Sequence, residues 1–468
     1  MDEFQAATDR FLSWFRSMGG DFRDDLLEIK DLRSRDAGRG IVALKDIPED
    51  TTLFTIPRNA IINVETSDLS GKLPGIFDQL GADEDEDDED SVRQDPWTSL
   101  ILIMLYEYLL GDASRWKPYF DVLPQTFDTP LFWSEAELKE LEGTCLTTEK
   151  IGKQESDEML KSRVLKVVKA NPTVFYPEGT THLSDEELLA LAHQIGSTVM
   201  AYAFDLDNAS EEGDDEEDGW VEDREGKTML GMVPMADILN ANADFNAHVN
   251  HGDSLEVLSL RSNLPAGTEI LNYYGPLPSS ELLRRYGYVT LEHQRYDVVE
   301  LPWSLVASAL AQRLNITESQ LPKLEDMEDY FIIERDSGDP DSEGRLTFEY
   351  KLREISPELD EQLTTFLKAL KKSKPDAFLD KRQRVEIYSA AIKQALAAKL
   401  AQYPTTISAN EALLKKADMS KRHRMAVEVR LGEKTLLQEA IALVDGEAGA
   451  KEEEEDGGPA TKKVKTKA

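Results

Sequence analysis

The sequence predicts an α+β fold in which small β-sheets bracket a long helical insert and an all-α domain follows. Short β-branched runs separated by glycine and proline occur between Leu27 and Asn63, with Ile41-Val42-Ala43-Leu44 and Thr51 to Pro57 as the clearest. Strand-like segments return at Leu255 to Leu260 and Glu269 to Tyr273, with Pro265-Ala266-Gly267 as the turn between them. The intervening stretch, and everything after about 300, has helical periodicity.

Each element has its own signal. Residues 1 to 20 place Phe4, Phe11, Trp14, Phe15 and Met18 on one face of an amphipathic helix. Trp97 to Leu110 is apolar and helical in pattern but too short to cross a bilayer. Helices are expected to continue through 134 to 170 and 184 to 205, and then at Pro357 to Lys371, Lys381 to Leu400 and Ala409 to Val444. The resulting organisation is an N-terminal helix (1–22), a mixed domain (23–299) with its helical insert at about 95–230, a helical domain (300–445), and a charged disordered tail (446–468). No internal repeat is evident.

Composition narrows the function. At 468 residues, 40% hydrophobic, the chain has enough material for two cores. No window approaches the roughly 18 apolar residues of a membrane span, and the acidic N-terminus lacks the pattern of a secretory signal. An intracellular protein without membrane contact is expected. The single cysteine, Cys145, excludes an intramolecular disulfide and a thiolate-rich zinc cluster. His248 and His251 have ligand-like spacing but no third ligand nearby, so no metal is assigned. The net charge of −38 is concentrated in Asp83 to Asp90, Glu211 to Asp218 and Glu452 to Asp456. These runs fit solvated loops or tails that steer a basic protein; phosphates would meet charge of the wrong sign, so direct nucleic-acid binding is not expected.

Three separated clusters carry the chemistry. Asp36-Ala37-Gly38-Arg39-Gly40-Ile41-Val42-Ala43 holds a Gly-x-Gly-x-x-Ala pattern, yet it leads into a strand rather than a helix, which argues against a dinucleotide fold. What remains is a backbone bare enough for a ligand's close approach. The second cluster, Met232 to Asn240, is an apolar run broken by Asp237 and Asn240, three residues apart as on one helical turn. The third has two Tyr-Gly pairs, Tyr274-Gly275 and Tyr286-Gly287, twelve residues apart.

In this order the clusters resemble the core of SET-domain protein-lysine methyltransferases, in the subclass typified by plant Rubisco large-subunit methyltransferase and, within it, the fungal ribosomal-protein lysine methyltransferases. The likeness covers roughly residues 20 to 300. A weaker likeness to the subclass's substrate-binding domain continues to about 445, with Val427 to Lys434 as its most recognisable piece. The resemblance implies S-adenosylmethionine as cofactor. It implies main-chain contacts to it from Ala37, Gly38 and Arg39, packing by Tyr202, binding of its amino-acid end by Asn240 with Asp237 supporting the turn, and closure by Tyr286. Ala241 stands where family members commonly have histidine, a change in a cofactor contact that the ribosomal group tolerates. Tyr274 would sit beside the transferring methyl, and Trp97, Ala203, Asn246 and Tyr274 would touch substrate.

The residue types suit that chemistry. Methyl transfer from a sulfonium to an amine is an in-line displacement, so positioning supplies much of the catalysis without a metal or covalent intermediate. Lysine, with a pKa of about 10.4, must first lose a proton, which an aromatic channel beside a positive sulfonium favours. Tyr274 is the expected catalytic orienter and not a general base, since a phenol titrates near about 10. Tyr273 and Tyr288 are read as packing residues. By resemblance the target is a large-subunit ribosomal protein, monomethylated. A non-catalytic acidic adaptor and a methyltransferase of histones or other nuclear proteins are the alternatives. Lys462 to Lys467 has the composition of a nuclear import signal, so residence in the nucleus, shared with the cytoplasm, is the expectation.

Overall fold

The computed structural model describes residues 2–80, 95–206, 229–324, 327–346, 349–373 and 381–456. The acidic runs at 83–90 and 211–218 and the lysine cluster at 462–467 lie outside them. The chain opens with the helix Glu3–Ser17, capped by the Asp2 side chain, which buries Phe11 and Phe15 against the first core.

Two four-stranded sheets frame the first domain. One has the order β1-β4-β9-β8, from Asp21–Phe22 (β1), Thr52–Pro57 (β4), Ser254–Ser259 (β9) and Ala247–Asn250 (β8). The other has the order β2-β3-β10-β7, from Leu27–Asp31 (β2), Arg39–Ala43 (β3), Glu269–Asn272 (β10) and Asn240–Ala241 (β7). The turn at Pro265–Gly267, with Gly267 at φ 84°, therefore links strands of two different sheets instead of closing a hairpin. In the second sheet β10 runs antiparallel to β3 and parallel to β7, pairing Ile270 with Ile41 and Leu271 with Asn240. Segments two hundred residues apart in sequence thus lie side by side.

The insert is helical as expected, but in shorter pieces. Its two long helices start on strong signals: Pro96–Leu109 on the Asp95 cap with Pro96 in the first turn, and Asp185–Tyr202 on a Ser184/Glu187 capping box. Pro96–Leu109 is apolar on all sides and buried from Thr98 to Glu107. The run expected at 134–170 breaks at Gly143 and Gly152, both at positive φ where a side chain would be strained. The helix expected to reach 205 stops at Tyr202. Ala203–Leu206 (β5) instead pairs antiparallel with Met229–Met232 (β6), Ala203 opposite Met232.

The second domain packs Trp303–Leu314, Pro357–Ser373, Lys381–Leu400 and Lys421–Asp456 around its own core of Leu310, Phe366, Leu396 and Leu436, and Ile407–Leu414 packs against Lys421–Asp456. Each such buried side chain contributes about 1.5–3 kcal/mol. The domain also contains a two-stranded sheet, Val298–Pro302 (β11) against Tyr330–Glu334 (β12), in a stretch expected to be wholly helical. The helix expected over 409–444 is two helices, and the last one continues through the third acidic run to Asp456. Among the described residues no helix is long and apolar enough to cross a membrane.

Candidate functional site

The site grows from the second sheet. Between β2 and β3 the chain makes a tight turn: Asp36 and Gly38 both have positive φ, 57° and 62°, and the Leu32 N–H donates to the Gly38 carbonyl at 2.7 Å. A Cβ on Gly38 would meet nothing within 4 Å, so main-chain groups of Ala37, Gly38 and Arg39 border open space. Gly40 is the reverse case. A Cβ there would lie 2.4 Å from Leu32, 2.7 Å from Glu269 Oε1 and 3.0 Å from Asn240 Nδ2. That crowding marks the point where three strands converge.

Asn240 lies at this convergence. It is on β7, beyond the 3-10 turn Ala236–Ile238 that holds Asp237, so the two polar residues of the motif are on different elements and not on one helical turn. Its Nδ2 donates to the Arg39 carbonyl at 3.1 Å and to Glu269 Oε1 at 2.7 Å, and Arg35 holds the other Glu269 oxygen at 2.8 Å. Both partners of Nδ2 only accept, which fixes the amide orientation and leaves Oδ1 to receive an ammonium. Ala241 pairs with Asn272 in the parallel register.

The turn before Asn240 is strained. Met235, fully buried, has φ 83°, a region that non-glycine residues rarely occupy. This conformation sends Asp237 inward, where its Oδ2 accepts from the Tyr119 hydroxyl and its buried Oδ1 has no partner among the described residues. Burial pushes the Asp237 carboxyl up to about 7, with the Tyr119 bond working in the opposite direction.

Four tyrosines complete the arrangement. Tyr274 and Tyr286 stack, with ring centroids 4.6 Å apart and planes 15° from parallel, and Tyr288 lies 6.1 Å from Tyr286. The Tyr274 hydroxyl donates to the Leu239 carbonyl at 3.4 Å, while the buried Tyr288 hydroxyl has no partner among the described residues. Burial first, then the neighbouring Tyr288, Tyr202 and Tyr286 and Asp237, push the Tyr274 phenol well above its ordinary range, so it is a proton donor at neutral pH. Tyr202 and Tyr288 are shifted the same way by the same cause. Tyr286 ends the helix Ser279–Tyr286, stopped by Gly287 at φ 74°, where a Cβ would be 3.0 Å from the backbone of Asp128 and Thr129.

A cavity of about 270 Å³ adjoins this cluster, lined by Trp97, Met200, Ala203, Asp205, Leu230 and Arg285. Trp97 and Ala203, singled out from sequence as substrate contacts, meet there; Trp97 is 39% exposed. Asn246 is not among the lining residues. Its amide is buried between strands, donating to the Glu269 carbonyl at 2.8 Å and accepting from Leu271 N–H at 2.9 Å, which ties it to β10. Tyr273 packs on Phe245 at 4.6 Å, away from the stack. Sequence reasoning did not single out Glu269, Tyr119 or Arg285, and it read Tyr288 as a packing residue. Glu269 and Tyr119 sit in no motif, but Arg285 and Tyr288 flank Tyr286 and that adjacency was the available signal.

The glycine turn facing Asn240 and the adjoining tyrosine stack occupy a domain of the SET class. The SET domain profile matches residues 38–275, and the profile described as Rubisco LSMT substrate-binding matches residues 345–437. The chain belongs to the SET-domain family of protein-lysine methyltransferases. It is 32% identical over 320 residues to ribosomal lysine N-methyltransferase 4 of Saccharomyces cerevisiae, an alignment covering 67% of this chain and 61% of the yeast protein. It is 27% identical over 437 residues to human N-lysine methyltransferase SETD6, covering 87% and 84% of the two chains. The fold is also that of Rubisco LSMT: the structure bound to sinefungin and monomethyllysine superposes with a TM-score of 0.62 at 21% identity, over 94% of this chain and 92% of that one.

Proposed function

We propose that the protein transfers one methyl group from S-adenosylmethionine to a lysine of a basic large-subunit ribosomal protein. The observation that carries this reading is the convergence of the Gly38 turn, Asn240 and the tyrosine stack. The residues present fit the cofactor: an open main-chain turn, an asparagine oxygen facing outward from its own bonds, and electron-rich ring faces suited to a sulfonium. The cofactor supplies an electrophilic methyl.

The protein's residues do the rest. Ala37, Gly38 and Arg39 offer main-chain groups, Asn240 Oδ1 receives the amino-acid end, and Tyr202 and Tyr286 exclude water. Tyr274, kept protonated, orients the amine by hydrogen bonding, and the buried channel favours the neutral amine that attacks. The amine's proton leaves through water. The close tyrosine stack supports a single transfer, since a methylated amine needs more room. Trp97, Ala203 and Arg285 receive the residues flanking the target lysine.

The ribosomal assignment is supported by the name of the yeast relative and by the net charge of −38, which suits a basic partner. The lysine cluster at 462–467 supports work in the nucleus as well as the cytoplasm. The test is incubation with labelled cofactor and separate ribosomal-protein and histone fractions from cells lacking the protein. Label on a large-subunit protein with a mass gain of one methyl is expected; label confined to histones would move the target, and no label on any protein would remove the reading.

A further inference from the structure

The first turns of the N-terminal helix hold an aromatic ring between two cations. Phe4 has the Arg33 guanidinium at 4.0 Å from its centroid and the Arg39 guanidinium at 3.8 Å. These arginines stand near the two ends of the Asp31–Arg39 turn, the segment assigned above to the cofactor. Each is further tied to the helix or its surroundings. Arg33 donates to Asp2 at 2.6 Å, while Arg39 donates to the Thr8 hydroxyl at 2.9 Å, the Phe4 carbonyl at 3.1 Å and the Val122 carbonyl at 3.0 Å. Arg39 therefore works at both ends, since its main-chain carbonyl also receives the Asn240 amide.

Within the turn, the Leu32 N–H donates to the Gly38 carbonyl at 2.7 Å, Arg33 pairs with Asp31 at 2.7 Å, and Arg35 pairs with Glu269 at 2.8 Å; the contacts of Arg33 and Arg39 with Phe4 add a tie from the turn to the N-terminal helix. Residues 33 to 36 of the turn are exposed, and open space adjoins Gly38. A loop of this kind keeps its shape only if its ends are fixed, and fixing it before the ligand arrives removes an ordering cost from binding.

We propose that Phe4 is a positioning residue for the cofactor: its ring clamps Arg33 and Arg39 and thereby presets the main chain of Ala37, Gly38 and Arg39. This rests on the assignment of that turn to S-adenosylmethionine. Phe4 touches neither cofactor nor substrate in this role. It acts through the two arginines, and what the clamp needs is a π face, which tryptophan supplies and leucine does not.

Calorimetric binding of S-adenosylhomocysteine to the full chain tests it, using Phe4→Leu, Phe4→Trp and, as a reference, Asn240→Ala. Phe4→Leu should weaken binding about fivefold, as loss of cation–π contacts implies. Phe4→Trp should restore it, and amide exchange in Phe4→Leu should quicken over 31–40. A merely structural role would lower the thermal midpoint without that local change and without rescue by tryptophan. If Asn240→Ala weakens binding while Phe4→Leu does not, the clamp is overturned and the cofactor site stands. If Asn240→Ala also leaves affinity unchanged, the assignment of the turn fails and the role of Phe4 fails with it.

Discussion

Tyr274 and Tyr286 stack face to face at 4.6 Å although one leaves a strand and the other ends a helix. The stack exists because the Gly275–Pro278 bend turns the chain back and Gly287 stops the helix one residue after Tyr286. With both rings fixed, a phenol at Tyr274 has a single direction in which to hold an amine. Tyr274→Phe keeps the stack and removes the hydroxyl. We expect kcat to fall about 100-fold, the scale of a lost positioning contact, with affinity for S-adenosylhomocysteine within twofold. Single-turnover kinetics and calorimetry on the same preparation check both halves.

Gly40 has no room for a methyl group. Gly40→Ala places a carbon 2.4 Å from the Leu32 side chain, 2.7 Å from Glu269 Oε1 and 3.0 Å from Asn240 Nδ2, so these side chains must shift and the Asn240–Glu269 bond moves with them. Forced displacement of this kind costs about 1–3 kcal/mol. The expected outcome is a lower thermal midpoint together with at least tenfold weaker cofactor binding, and Gly38→Ala, where space is open but φ is positive, should affect stability more than affinity.

Trp97 presents its ring to the cavity beside Ala203 and Arg285. Trp97→Ala should raise KM for the protein substrate about tenfold, the scale of losing an aromatic contact, and leave the KM for S-adenosylmethionine unchanged. Steady-state titration of each substrate at saturating levels of the other separates the two.

Glu433 predicts a pH dependence of stability. It is buried where the last helix meets the insert, accepting from the Tyr403 hydroxyl at 2.7 Å and the Cys145 N–H at 3.0 Å. Burial pushes its carboxyl up to about 8, with the hydrogen bonds and Lys399 opposing. The folded chain therefore binds more protons there than the unfolded chain, whose glutamate titrates near about 4.3. Its contribution is full below the unfolded value and is lost as pH rises through the folded one, with a slope of at most about 1.4 kcal/mol per pH unit. Thermal midpoints of the parent should fall between pH 5 and 8 relative to Glu433→Gln, about which the pH-independent amide gives a flatter curve.

Much of this was legible in the sequence because glycine spacing and strand texture are local properties. The Gly38 turn and the β-branched runs needed no partner to be recognised. Pairings between distant segments were not legible in the same way. Nothing near Glu269 shows that it bridges Arg35 and Asn240, and nothing near Tyr119 shows that it meets Asp237, since both depend on strand order and insert packing. Asn246, a substrate contact only by resemblance, has its amide committed to the backbone of β10, a bond that no local feature of the sequence shows. The strand Ala203–Leu206 was read as helix because its pairing partner lies beyond the second acidic run.

Gly432 on the last helix sits so close to Asp297 that a methyl group there would fall 1.8 Å from a carboxylate oxygen. Asp297 in turn receives the first N–H of the helix bearing Tyr286, from Ser279 at 2.9 Å. A disturbance of the distal domain thus has a three-residue route to the reaction chamber. Sequence variants around 432 would present as faulty enzymes rather than as poorly recruited ones.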